Sequence, residues 1–344
     1  MRRHPDAAVA VAAAAAAALA DVEGPILVVC DFDGTLARIG PDPAAAALHP
    51  EARRALRHLG RIARARPDRL ALAILSGRTA LDVAGRVRIG GVTYLGDHGL
   101  QGGDLPPRVA AERLQVVHDP RHAAHHEPSR RLGDEVERLL ADAEWLFVEP
   151  KGASVAFHYR TADDADAARS RILAALGAAA VALPPEQRGP AFARYETWRI
   201  LELRPAEAGA KGEAVERLME RHRPAAVAVL GDDRSDAEAF HVVAAARAAG
   251  RLAQGLTIGV RRAGATPPEV MRTADVLLPD PAATGPVLRA LARRLEEEEA
   301  RAGRGRRGAW GAGRVVRGAR RRAPGPPTPR CRGRGREGAP GQPS

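Results

Sequence analysis

Six apolar runs that stop at glycine-rich or polar turns divide this chain. They lie at 26–30, 70–75, 92–95, 225–230, 256–260 and 274–278. None shows the apolar–polar alternation of a half-exposed strand, so each reads as a strand buried on both faces of a parallel sheet. Between them the apolar period changes to that of a helix. Leu56, Leu59, Ile62 and Ala63 form one stripe, Val215, Leu218 and Met219 a second, and Val287, Leu288, Leu291 and Leu295 a third. Strands alternating with helices predict an α/β fold with a mostly parallel sheet.

The middle of the chain follows a different pattern. Leu105-Pro106-Pro107 marks a boundary, and residues 106–208 carry alternating strands at 145–148, 154–160, around Phe192 and at 199–203. Helical segments are expected at 129–142 and 164–177. Alternation predicts an antiparallel sheet covered on one face by helices, and so an α+β cap domain inserted between two halves of a core, 22–105 and 209–298. Residues 1–21 are rich in Ala and predict a helix on or near the core, with a secretory signal as the competing reading. About 14 apolar residues are too few to span a bilayer as a helix. Residues 299–344, rich in Arg, Gly and Pro, are expected to be a disordered tail.

Charge changes this picture only locally. The formal net charge is +11, but residues 301–344 alone hold 13 Arg and a single acid, Glu337, so the body is near neutral. Nucleic-acid binding by the body is not expected; the tail leaves it open. The two cysteines, Cys30 and Cys331, give no disulfide framework, and a cytoplasmic monomer is expected. Of 53 basic residues only Lys151 and Lys211 are lysines. A background that favours Arg so strongly makes both lysines candidates for positions that need a compact ammonium. His118, His122, His125 and His126 are four of the 11 histidines. With no Cys or ordered ligand spacing beside them, they read as a surface loop.

The candidate chemistry stands at the strand ends, where open α/β sheets bind ligands. Asp31 and Asp33 follow the first run. Two close carboxylates require a cation or a shared proton between them, and hard oxygen donors suit Mg²⁺. Ser76-Gly77-Arg78 follows the second run and offers a hydroxyl and backbone N–H groups to an anion. Asp232, Asp233 and Asp236 follow the fourth and again imply a cation. Lys211 opens a helix, where its charge opposes the macrodipole, so an anion is expected beside it.

Asp31-Phe32-Asp33-Gly34-Thr35-Leu36, then Ser76-Gly77-Arg78, Lys211-Gly212 and Gly231-Asp232-Asp233-Arg234-Ser235-Asp236, resemble in order the motifs of haloacid-dehalogenase-like phosphatases. Gly96-Asp97-His98-Gly99 and the set Glu149-Pro150-Lys151, His158-Tyr159-Arg160 and Glu202-Leu203-Arg204-Pro205 are similar to the trehalose-6-phosphate phosphatase branch. The resemblance covers residues 22–298. It implies a Rossmann-like core and Mg²⁺-dependent hydrolysis of a sugar phosphate through an aspartyl phosphate. Asp31 would be the nucleophile and Asp33 the general acid and base. Asp31, Asp232 and the Asp33 backbone carbonyl would hold the metal. Ser76 and Lys211 would grip the phosphate. Gly77, Arg78, His98, Glu149, Lys151, Arg160 and Glu202 would contact substrate. Asp233 and Asp236 would orient waters and fix Lys211. Ser235 and Ala237 stand where the family has Thr and Glu. Sucrose phosphate or mannosyl-3-phosphoglycerate hydrolysis remains open, as does a non-enzymatic sugar-phosphate sensor or an RNA-binding tail.

Overall fold

The computed structural model describes residues 5–40, 42–182, 190–197, 199–209, 211–262, 264 and 266–315. β1 (Ile26–Cys30) is buried along its whole length. It runs parallel to β2 (Leu70–Leu75) on one side and to β10 (Ala226–Gly231) on the other. β3 (Val92–Gly96) extends the parallel sheet beyond β2, and β11 (Gln254–Val260) and β12 (Val276–Leu278) extend it beyond β10. The order among the described residues is β12–β11–β10–β1–β2–β3–β4–β5.

Alternate residues of β1 feed two separate cores, which is why the run needs no polar positions. Ile26, Val28 and Cys30 pack with α1 (Pro5–Ala18), α2 (Pro50–Ala65), α3 (Ala80–Val87) and the closing helix α9 (Thr284–Val315). Leu27 and Val29 pack with α6 (Lys211–His222) and α7 (Arg234–Ala248). With so few aromatics, the filling is mainly Ala, Leu and Val. The Ala-rich start is part of the core: Ala12, Ala16, Leu19 and Ala20 are buried at helical spacing. Burial pushes the Cys30 thiol up, so it stays protonated and inert. No described helix is long and apolar enough to cross a membrane.

A second sheet comes between the two halves of the core in chain order. It is antiparallel throughout, in the order β6–β7–β9–β8, from β6 (Phe147–Pro150), β7 (Val155–His158), β8 (Phe192–Thr197) and β9 (Ile200–Pro205). α4 (His126–Leu139) and α5 (Ala165–Ala182) cover it, with Val136, Phe157, Ile172 and Leu201 at the centre of a third apolar cluster.

Three features depart from the sequence expectations. β4 (Gln101–Leu105) and β5 (Val117–His118) add an antiparallel edge to the main sheet, so the segment from 106 onward first returns a strand to the core. Gly102 and Gly103 in β4 weaken the apolar signal there. The histidine-rich stretch is not a surface loop: a 3₁₀ segment, Pro120–His125, leads directly into α4, with His122 and His125 buried. α9 continues to Val315, past the expected end near 296; its Ala, Glu and Arg residues favour a helix, and the five glycines between 303 and 313 do not. Residues up to 298 form one compact unit. Cys331 and most of the basic tail lie outside the described residues.

Candidate active site

The β1 ladder ends as the Asp31 N–H donates to the Leu230 carbonyl at 2.9 Å. The chain then turns, with the Phe32 carbonyl accepting from Thr35, Leu36 and Ala37. Gly34 sits in this turn at φ +84°, and any Cβ there would collide with the Asp232 carboxylate. Glycine is required by both backbone conformation and close approach. Thr35 Oγ1 donates across the same gap to Asp232 at 3.3 Å. The ends of β1 and β10 are thereby joined, and two carboxylates distant in the chain are neighbours.

Lys211 projects from the first residue of α6 into this cluster. Its Nζ donates to Asp31 at 2.5 Å and to Asp236 at 2.8 Å, and all three side chains are almost fully buried. The two carboxylates hold the ammonium well above its ordinary range against the cost of burial. Asp236 is fully engaged: its other oxygen accepts the N–H groups of Asp232 and Asp233. Asp233 caps α7 and forms a reciprocal capping box with Asp236. This sets Asp236, and through it Lys211.

Asp31 Oδ2 is buried without a hydrogen-bond partner. Burial pushes the Asp31 carboxyl up to about 8, although Lys211 pulls it down. Burial likewise pushes Asp232 up to about 7, against the pull of Arg262. Oxygens of Asp31, Asp232 and Asp236 lie within 4.8 Å of one another. An orphaned oxygen, a hard donor set and two acids reluctant to ionise fit a divalent cation such as Mg²⁺. Of these oxygens only Asp31 Oδ2 has no partner; Asp232 accepts from Thr35 and Arg262, and Asp236 from Lys211 and two backbone N–H groups.

Asp33 is directed elsewhere. Arg78 grips its carboxylate with two hydrogen bonds, 2.6 and 2.9 Å, and also binds Asp82 and the Pro43 carbonyl. Ser76, buried at the end of β2, accepts the Arg78 N–H at 3.2 Å, and the Ser76 carbonyl accepts from His98. Arg160, half-buried at the end of β7, lies in the fields of Asp33 and Arg78.

A second polar cluster joins the core to the inserted sheet. Lys151 Nζ donates to the Gly77 carbonyl at 2.9 Å and to Glu202 at 2.6 Å, and Glu149 is 3.9 Å away. Glu202 also faces His98 Nε2 and Arg204 Nε, each at 3.4 Å. Burial, with the nearby Arg204 charge, lowers His98 to about 4, so its ring is neutral at pH 7. Glu149, Lys151, Glu202, His98 and Gly77, expected as substrate contacts, are thus brought together. Glu202→Gln is expected to loosen Lys151 and raise KM for a sugar phosphate about tenfold. Hydrolysis of p-nitrophenyl phosphate, which has no sugar, should change less than about threefold. Equal losses on both substrates would mean that the cluster supports the core instead.

Sequence reasoning missed Arg262 and Asp97. Arg262 ion-pairs with Asp232 through Nε and approaches Asp233 at 3.7 Å. It follows an ordinary strand in an Arg-rich chain, so nothing local singled it out. Asp97, in the Gly-x-His-Gly turn at φ +51°, is fully buried; one oxygen accepts from Ser154 at 2.6 Å and the other has no partner. Burial pushes it up to about 7, against the attraction of Lys151. The folded protein therefore keeps a proton that the unfolded chain loses. That stabilisation is complete below about pH 4 and is lost as pH rises through 7. Asp97→Asn, which cannot ionise, should exceed wild type in stability at pH 8 by on the order of 2–4 kcal/mol and match it near pH 4. Urea unfolding at both pH values checks this, and a difference independent of pH would refute it.

A mostly parallel sheet with Asp-x-Asp at one strand end, paired acids at the neighbouring strand end and an inserted antiparallel layer is the architecture expected from the sequence resemblance to haloacid-dehalogenase-like phosphatases. A family model described as trehalose-phosphatase matches residues 29–265. The chain belongs to the trehalose-phosphatase family. It is 34% identical over 227 residues to a trehalose-phosphate phosphatase of Mycobacterium tuberculosis (strain ATCC 25618 / H37Rv), covering 63% of this chain and 51% of the relative. It is 33% identical over 245 residues to that of Mycobacterium avium (strain 104), covering 68% and 54%. The chain spans about half the length of these curated relatives. Among solved structures, the C-terminal domain of C. albicans trehalose-6-phosphate phosphatase has TM-score 0.60 and 20% identity, covering 80% of this chain and 95% of that one. At that identity the likeness establishes a shared fold.

Proposed function

We propose that this protein hydrolyses trehalose 6-phosphate to trehalose and phosphate, with Mg²⁺ and an aspartyl-phosphate intermediate. The observation that carries the proposal is Asp31 at a buried strand end, with Lys211 on one oxygen and Asp232 beside it, in a chain of the trehalose-phosphatase family. Bound at Asp31, Asp232 and the Asp33 backbone carbonyl, Mg²⁺ would offset the repulsion between carboxylate and phosphate.

Asp31 attacks phosphorus, the bond to the sugar oxygen breaks, and the phosphoryl group passes to the carboxylate. Asp33 gives a proton to the departing oxygen; water then attacks phosphorus, losing a proton to Asp33, and the bond to Asp31 breaks to release phosphate. This requires the Arg78 fork to release Asp33 when substrate arrives. Lys211 and Ser76 hold phosphoryl oxygens as charge spreads over them. Glu149, Lys151, Glu202 and His98, at the junction of core and inserted sheet, meet the sugar. Closure of that junction would exclude water.

Phosphate release from trehalose 6-phosphate, sucrose phosphate, mannosyl-3-phosphoglycerate and glucose 6-phosphate, each with and without Mg²⁺, tests the reading. A strong preference for trehalose 6-phosphate, dependent on Mg²⁺, is expected. Preference for another ester would reject the substrate, and undiminished turnover in chelator would reject the metal.

A further inference from the structure

The chain crosses from the core to the inserted layer and back at two places, and titratable side chains from both crossings meet. The outward crossing is the segment Pro120–His125 between β5 and α4. The return is the short stretch between β9 and α6, which contains Glu207. His122 and His125 are 3% and 1% exposed, whereas Glu207 reaches solvent. One Glu207 oxygen stands 3.6 Å from His122 Nδ1 and 3.5 Å from His125 Nε2.

Those distances are long for hydrogen bonds, which lie at about 2.7–3.2 Å. They are close to the spacing of ligands on a shared cation, and one donor atom from each of the three residues lies within 4.8 Å of the others. Tetrahedral Zn²⁺ with ligands at about 2.0–2.2 Å separates their atoms by roughly 3.3 Å. The rings supply independent support. Neither His122 nitrogen has a hydrogen-bond partner, nor has His125 Nδ1. His125 Nε2 lies 3.2 Å from the Ala191 carbonyl, a contact that a cation bound at this nitrogen would replace. An imidazole buried with unmet polar atoms is costly unless something binds it.

We propose that His122, His125 and Glu207 form a second metal site, for a divalent transition ion such as Zn²⁺. Two imidazoles and one carboxylate favour Zn²⁺ over Mg²⁺, which prefers oxygen ligands. The site is separate in ligands and chemistry from the Asp31–Asp232 cluster and does not depend on the proposed phosphatase reaction. A cation there would tie the two crossings together.

The test uses the full chain, stripped with chelator and held in millimolar Mg²⁺ to occupy the carboxylate cluster. Calorimetric titration with Zn²⁺ should show one tightly bound equivalent that Mg²⁺ does not displace. Co²⁺ in its place should give the intense visible bands of a low-coordinate, nitrogen-ligated ion. Asp31→Asn should leave this equivalent intact. Glu207→Gln, at an exposed side chain that folding should tolerate, should weaken Zn²⁺ binding at least tenfold. His122→Ala with His125→Ala should abolish it. If the buried double variant fails to fold, Glu207→Gln decides. Unchanged affinity in Glu207→Gln, or no equivalent beyond one lost in Asp31→Asn, overturns the proposal.

Discussion

Asp31→Asn is expected to give a folded protein that no longer turns over. The amide of Asn does not attack phosphorus at a useful rate, so kcat/KM should fall by at least about 10⁴-fold, roughly 5.4 kcal/mol of transition-state stabilisation. Folding should survive for a reason visible in the site. Burial raises the Asp31 carboxyl to about 8, so its folded-state value exceeds the unfolded one. The stability it brings is full below about pH 4 and is lost as pH rises through 8. Asn resembles the neutral form. In cation-free buffer at pH 8 the variant should therefore unfold at or above the wild-type midpoint. Mg²⁺ should raise the wild-type midpoint more than the variant's, because the variant has lost a charged ligand. Retained turnover in a well-folded variant would remove Asp31 from the chemistry.

Lys211→Met should damage both activity and stability. Its ammonium is the direct partner of two buried carboxylates, Asp31 and Asp236. Removing one member of such a buried set leaves charge without compensation, at a cost of about 3–5 kcal/mol. The loss should be largest near pH 8 and should shrink toward pH 5, where the carboxyls take up protons. If Lys211 also holds phosphate as proposed, its loss should lower kcat by a further factor of about 10²–10³. Lys211→Arg should not restore activity, because the planar fork does not fit a space shaped for a compact ammonium. Denaturant unfolding at the two pH values, with phosphate release by the folded fraction, separates the two effects. A stability loss that does not change with pH would mean the carboxylates are not what Lys211 neutralises.

The strand ends were legible because a strand buried on both faces must be apolar until it leaves the sheet. The first acids after Cys30 and Gly231 therefore stand out. Lys211 stood out for a compositional reason, as one of two lysines among 53 basic residues. Arg262 had no such contrast, and only the neighbouring positions of β10 and β11 place it on Asp232. Asp33 was legible as an acid, but its fork with Arg78 was not, since 45 residues separate them. The histidines were visible, yet their solvent exposure was misjudged. Burial of His122 and His125 follows from the packing at the crossings, including the edge-on contact of His125 with Phe192.

The chain by itself determined the α/β class, the buried strands, the inserted layer and the acids at the strand ends, because these follow from local periodicity and from where it breaks. Tertiary structure alone decided which charges pair: Arg78 with Asp33, Lys151 with Glu202, Arg262 with Asp232, and Glu207 facing the two histidines. Partner choice depends on distances of a few ångströms between segments remote in sequence. Strand order and the two crossings set those distances, and no local pattern encodes them.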